Sequence, residues 1–142
     1  MKNISFLFLC LLLFMVGSCG YSSDEINSFN RSIQSYLKKQ KTPFAKSESG
    51  LYMNVIKKGT GREILLGDSI GVTYTGKLMN GKVFDQQKKI KYFAMRSVID
   101  AWKEAVIGQK QGVELKIIVP PQLGYGQGGR DQIPANAICI LN

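Results

Sequence analysis

The stretch from Val72 to Asp85 constrains the fold more than any other part of the chain. Val72, Tyr74, Gly76 and Leu78 alternate with Thr73, Thr75 and Lys77, the period-two pattern of a strand with one apolar and one polar face. Asn80-Gly81 follows, a dipeptide favoured in tight hairpins because both residues tolerate positive φ. The chain is expected to turn back there and to deliver Phe84 and Asp85 close to Tyr74.

Other segments repeat the strand pattern. Leu51 to Lys57 reads as a strand, as does Val113 to Val119, with Val113, Leu115, Ile117 and Val119 on one face, and Ile138 to Leu141 as a short last one. Val98, Ile99, Trp102, Ala105 and Val106 recur at helical spacing and predict one short amphipathic helix. Gln86 to Lys91 reads as a charged loop, and Pro120-Pro121 halts the strand before it. Strands with one short helix and no alternating β-α units argue for an α+β fold and against a parallel dinucleotide-binding sheet. At 142 residues there is room for one ordinary domain and a short appendage.

That appendage is N-terminal. Lys2 precedes an apolar run from Ile4 to Val16 that ends Val16-Gly17-Ser18-Cys19. The run has the length of a signal-peptide core and is short for a membrane span. Small residues before a cysteine resemble a bacterial lipoprotein cleavage box, which makes Cys19 the expected lipid-attachment site and residues 1–18 a leader. An ordinary secretory cleavage that ignores Cys19 is the alternative. Residues 19–46 then form a tether and a helix capped by Ser23 or Asp24, with Ile26, Phe29, Ile33, Tyr36 and Leu37 on one face and Pro43 as its stop. A helix of about four turns is marginal alone, so it is expected to dock on the domain or serve as a loose stalk, with dimerisation as a third reading. The domain proper occupies residues 47–142.

Composition excludes several chemistries. There is no histidine, so a Ser-His-Asp triad and a histidine-containing zinc site are ruled out. Gly124, Gly126 and Gly129 satisfy G-x-G-x-x-G, but Pro120-Pro121 separate them from the strand and Ile133-Pro134 follow in place of a helix, so no dinucleotide fingerprint results. No Walker sequence and no metal-ligand spacing occurs, and neither cofactor nor metal is expected. With Cys10 in the leader and Cys19 lipidated, Cys139 is left alone, without a disulfide, as a small core residue. The net charge of +9 falls in scattered lysine pairs without interleaved aromatics, so no nucleic-acid partner is expected. An anionic membrane surface beside the anchor is a secondary possibility.

Singly, Tyr74, Phe84 and Trp102 read as core aromatics. Tyr125 differs, because a glycine-rich loop needs no aromatic for packing. Asp85 would be costly if buried unpaired. The order of these residues along the chain is more specific. Val72-Thr73-Tyr74-Thr75-Gly76-Lys77-Leu78, Asn80-Gly81-Lys82-Val83-Phe84-Asp85, Val98-Ile99-Asp100-Ala101-Trp102-Lys103-Glu104-Ala105, Val119-Pro120, Tyr125-Gly126 and Ile133-Pro134-Ala135-Asn136-Ala137 occur in sequence. In this order residues 51–142 resemble the FKBP-type peptidyl-prolyl isomerases. The lipid box and preceding helix further resemble the gliding-motility-associated lipoprotein isomerases of bacteria.

The resemblance implies an antiparallel sheet wrapped around the short helix, with a pocket between them for a proline-containing peptide. Tyr74, Phe84, Asp85, Trp102 and Tyr125 would carry catalysis. Val98, Ile99, Tyr92 and Leu141 would complete substrate binding, with Ile90 and Phe93 as rivals to Tyr92. Trp102 would floor the pocket, the Ile99 N–H and the Tyr125 hydroxyl would bind peptide carbonyls, and the Tyr74 hydroxyl would hold Asp85 at the rim. Three departures stand out. The loop from Asp85 to Tyr92 is shorter than usual, Ala135 replaces a proline, and Leu141 takes the place of a pocket phenylalanine. The sequence stops at Asn142 where the family's last strand runs further, so that strand is expected to be incomplete in the sequence as it stands.

The chemistry needs no nucleophile. Rotation about an Xaa-Pro bond faces a barrier of about 20 kcal/mol because amide resonance stiffens it. Water stabilises the polar, planar form. A dry aromatic pocket stabilises it less, so the twisted state is relatively favoured. An isomerase working on exported or envelope proteins, monomeric and anchored at the membrane, is the leading expectation. A binding-only chaperone or adaptor with the same pocket is the alternative.

Overall fold

The structure, a computed structural model, describes residues 20–142. The expected leader and Cys19 lie outside the described residues. Six strands form one antiparallel sheet: β1 (Ala45–Lys46), β2 (Tyr52–Lys57), β3 (Ser69–Leu78), β4 (Val83–Ala94), β5 (Glu114–Val119) and β6 (Cys139–Leu141). Their spatial order is β1-β2-β5-β6-β3-β4. Helix α1 (Ser23–Leu37) precedes the sheet and the short helix α2 (Asp100–Val106) lies between β4 and β5. The expected α+β class, with an antiparallel sheet around one short helix and an N-terminal helical segment, is what forms. No helix of the described residues is long and apolar enough to cross a membrane.

Both faces of the sheet are used. Leu51, Leu78, Ile117, Val119, Cys139 and Leu141 pack with Ala101 and Ala105 of α2 on one side. On the other, Tyr52, Ile118 and Ile140 pack with Ile33 of α1. Alternation along β5 dictates this split, because Ile117 and Val119 face α2 while Ile118 between them faces α1. Helix α1 is therefore docked, which excludes the loose-stalk reading. Its start is Ser22, not Ser23 or Asp24: the Ser22 side chain accepts from the Glu25 N–H (3.3 Å) while the Ser22 N–H donates to Glu25 (2.8 Å). This reciprocal pair satisfies two otherwise orphaned donors, and the Ser22 bonds hold the Glu25 carboxyl below its usual range. The helix ends at Leu37, well before Pro43.

The β3–β4 hairpin differs from the expected tight turn. Only Gly81 takes positive φ (89°); Asn80 does not. The Gly81 N–H donates to Leu78 C=O and the Leu78 N–H to Lys82 C=O, each at 2.9 Å. This is a three-residue connection with a left-handed glycine at its end, the next commonest hairpin solution. The expected charged loop Gln86–Lys91 is also absent, because β4 runs unbroken from Val83 to Ala94. It accommodates its extra residues in two register shifts, between Gly76 and Lys77 and between Val72 and Tyr74 of its partner strand. Val98 and Ile99, read as helical, instead precede α2, with Ile99 as its N-cap.

Candidate functional site

Five segments converge on one cavity of about 340 Å³. Strand β3 contributes Tyr74, and β4 contributes Phe84, Asp85 and Phe93. Trp102 rises from α2, with Val98 and Ile99 just before it. Tyr125 and Ile133 come from the glycine-rich segment, and Leu141 from β6.

The first register shift explains how Phe84 and Asp85 both face inward. Lys77 pairs with Val83 and Gly76 with Asp85, so Phe84 is the extra residue of a bulge. A bulge re-aims a side chain that regular pleating would send outward. Phe84 then lies over Gly76, where a Cβ would sit 2.6 Å from its ring. A glycine at that position is what lets the ring enter the cavity.

The walls are aromatic and meet edge to face. Trp102 contacts Tyr74 at 5.2 Å and 90°, and Phe93 at 5.7 Å and 67° between ring planes. Phe84 and Tyr125 meet at 6.1 Å and 79°. Such T-shaped pairs place positive ring edges against negative faces and fix the walls without polar groups. The Tyr74 hydroxyl donates to Asp85 Oδ2. Burial, then the hydrogen bond to Asp85, raise the Tyr74 phenol above its usual value, so it stays a donor across physiological pH. Desolvation likewise raises Tyr125. The Ile99 N–H has no hydrogen-bond partner among the described residues, and it lies at the cavity. The site can thus enclose a small apolar ring and offer donors at its edge. It holds no nucleophile–base pair.

Of the residues singled out from sequence, Tyr74, Phe84, Asp85, Val98, Ile99, Trp102, Tyr125 and Leu141 line the cavity together. Tyr92 does not. It is 72% exposed on β4, and its neighbour Phe93, one of the two rivals, takes the wall position. The reason is the bulge. Asp85, Gln87, Lys91 and Phe93 sit opposite Gly76, Tyr74, Val72 and Ile70. Alternation on the cavity side therefore runs from Asp85 through Phe93, whereas counting by two from Phe84 arrives at Ile90 and Tyr92. Ile133 and the rim residues Lys91 and Arg130 were not singled out, and their residue types gave no signal. The glycine-rich segment leads into no helix. It folds back through the Gly126 N–H to Pro121 C=O and the Asn136 N–H to Gly126 C=O, consistent with rejecting a dinucleotide site.

Comparison with known proteins agrees with this geometry. Residues 61–141 match the family model described as FKBP-type peptidyl-prolyl cis-trans isomerase. The FKBP-type peptidyl-prolyl cis-trans isomerase FkpA of Buchnera aphidicola subsp. Baizongia pistaciae is 37% identical over 119 residues, covering 79% of this chain and 47% of that protein. FK506-binding protein 4 of Chaetomium thermophilum is 39% identical over 97 residues, covering 66% of this chain and 20% of that protein. The chain thus spans less than half the length of these curated relatives. The crystal structure of FkpA from Escherichia coli superposes with a TM-score of 0.72 at 28% identity, over 83% of this chain and 56% of that one. By the family match and the shared fold, the chain belongs to the FKBP-type peptidyl-prolyl cis-trans isomerase family.

Proposed function

We propose that this protein catalyses cis-trans isomerisation of Xaa-Pro bonds in exported or envelope polypeptides. The observation that carries the reading is the aromatic-walled cavity, with Tyr74, Phe84, Phe93, Trp102 and Tyr125 as walls and the Tyr74–Asp85 hydrogen bond at its edge. In this scheme the proline ring rests on Trp102. The free Ile99 N–H and the Tyr125 hydroxyl take peptide carbonyls. Apolar walls withdraw water from the amide being twisted, which removes solvent stabilisation of its planar form. The Tyr74 hydroxyl fixes Asp85 near the bond, where a carboxylate acts on the charge redistribution that accompanies loss of resonance. Proline-containing polypeptides are the substrates, and no cofactor enters the scheme.

The setting belongs to the same proposal. The apolar run before Cys19 and its small-residue box support a lipid-anchored envelope protein. Docking of α1 supports a short tether that holds the domain near the membrane.

Leu141, in place of a larger pocket aromatic, favours a second reading, a weakly catalytic binding module. Exchange spectroscopy on a short Xaa-Pro peptide with the purified protein separates the two. Faster cis-trans exchange at substoichiometric protein is the expected result. Saturable binding of the peptide at an unchanged exchange rate would establish the binding module instead.

A further inference from the structure

The mouth of the candidate site carries charge that the isomerase scheme leaves unused. Asp85, Lys91, Arg130 and Asp131 are the acidic and basic residues that line the cavity. Both carboxylates are engaged. Asp85 accepts from the Tyr74 hydroxyl, and Asp131 lies 3.7 Å from Arg130 Nε. With 72 and 88% of the Arg130 and Asp131 side chains exposed, solvent screens that pair and it holds Arg130 weakly. Lys91 takes part in no ion pair among the described residues. Between Asp85 and Asp100 every charged residue is basic: Lys88, Lys89, Lys91 and Arg96.

The fold places both cations. Lys91 and Phe93 are two apart on β4 and share a strand face. The Lys91 ammonium stands 5.2 Å from the centroid of the Phe93 ring, a cation–π contact that keeps it over a cavity wall. Arg130 opens a tight turn: its N–H donates to Ile133 C=O at 2.9 Å, and the Ile133 N–H donates to Arg130 C=O at 2.7 Å. Left-handed residues stand on either side of Arg130, Gly129 at φ 63° and Asp131 at φ 48°. A Cβ at Gly129 would lie 2.3 Å from the Ile133 carbonyl oxygen, so glycine is required there and the turn has little room to shift. Desolvation raises the Tyr125 phenol, and the Arg130 charge opposes that rise, so its field reaches a wall of the site.

We infer that Lys91 and Arg130 make the site selective for prolines that have an acidic residue next to them in the chain. This selectivity belongs to the isomerase reading and rests on it. A proline ring on Trp102 lies beside Phe93, whose ring is 5.7 Å from that of Trp102, and Lys91 stands over Phe93. The residue before or after the proline has its Cα only about 3.8 Å from the proline Cα, so its side chain emerges at the rim that the two cations occupy. A glutamate or aspartate there gains an opposite charge. A lysine or arginine meets Lys91, Arg130 and the basic margin of β4, so the discrimination has a repulsive half as well as an attractive one. The Tyr74 bond keeps Asp85 turned to the inner edge of the cavity, where it serves the twisted amide rather than the flanking side chain.

Tetrapeptides capped at both ends, and so without terminal charges, are the probes. One set carries Glu, Gln or Lys immediately before the proline, the other immediately after it; Gln matches Glu in shape and lacks its charge. In at least one set kcat/KM is expected to be about threefold higher for Glu than for Gln, through KM rather than kcat, and lower for Lys. The difference should shrink in about 0.5 M salt, which screens exposed charges. Lys91→Gln combined with Arg130→Gln should bring the Glu-to-Gln ratio to one, while Lys91→Arg keeps it. The ratio is taken within each variant, so a general loss of activity or stability does not imitate the effect. Equal kcat/KM for Glu and Gln in both sets, or a preference that survives in the double variant, would overturn the proposal. Trp102 is the sole tryptophan of the chain and lines the cavity, so its emission measures affinity for the same peptides. If no peptide is isomerised but Glu binds more tightly than Gln, the isomerase reading alone fails; equal affinity would remove the charge selectivity as well.

Discussion

Gly76 shows how one residue admits another to the site. Its missing side chain leaves the space that Phe84 occupies, and Leu141 lies 3.1 Å from where a Cβ would stand. Gly76→Ala is therefore expected to destabilise the domain by about 1–3 kcal/mol in urea unfolding, the usual cost of overpacking, and to lower isomerisation as Phe84 is displaced. Stability equal to the parent protein would show that the ring moves aside freely. The same locality marks where the sequence stops being legible. Tyr74, Phe84, Asp85, Trp102 and Tyr125 were marked by the order of the motifs that carries the family resemblance, because local patterns taken singly left Tyr74, Phe84 and Trp102 as core aromatics. Phe93 was not singled out over Tyr92, because a bulge at Phe84 shifts the alternation by one residue and no residue type announces the bulge. A one-residue slip exchanges the two faces of a strand, and here it exchanged a cavity wall for an exposed tyrosine.

Helix α1 was legible as an element but not in its destination. The apolar stripe of Ile26, Phe29, Ile33, Tyr36 and Leu37 predicts a helix that must bury one face. Nothing local says that the face will be the back of the sheet, since Tyr52, Ile118 and Ile140 come from three distant segments. Ile33 is fully buried among them, and the Tyr52 hydroxyl accepts from Gln34 Nε2 at 3.1 Å. Ile33→Ala is expected to cost about 2–5 kcal/mol in urea unfolding, from lost burial plus a cavity. Ser22→Ala, which removes only the cap, should cost about 1 kcal/mol. If α1 were merely a tether, neither substitution would shift the midpoint of the domain's unfolding. At the start of the helix, Tyr21 packs edge-on against Phe29 at 5.2 Å, and its hydroxyl donates to Asn136 Oδ1 at 2.8 Å. The helix is thereby fastened beside the segment that carries Ile133.

For the molecule as a whole, alkaline pH is the informative perturbation. Burial pushes the Cys139 thiol from 9.0 up to about 11, and burial with the Asp85 bond pushes the Tyr74 phenol above its usual 10. In both cases the native state holds the proton more tightly than the unfolded chain. Their contribution to stability is complete below about pH 9 and is lost as pH rises toward and past 11. Urea midpoints are expected to fall across that interval, and less steeply in Cys139→Ala once its lower starting stability is subtracted. A flat profile from pH 8 to 11 would mean that both groups reach solvent in the native state. The central claim concerns the cavity that joins β3, β4, α2 and the glycine-rich segment, and it is tested most directly by the catalysed exchange rate of an Xaa-Pro peptide in Tyr74→Ala, Asp85→Ala and Trp102→Ala. The account predicts a loss of about tenfold or more in kcat/KM, equivalent to about 1.4 kcal/mol of transition-state stabilisation, in each variant that retains the parent circular-dichroism spectrum. Parent-level exchange in all three, with the fold intact, would contradict it.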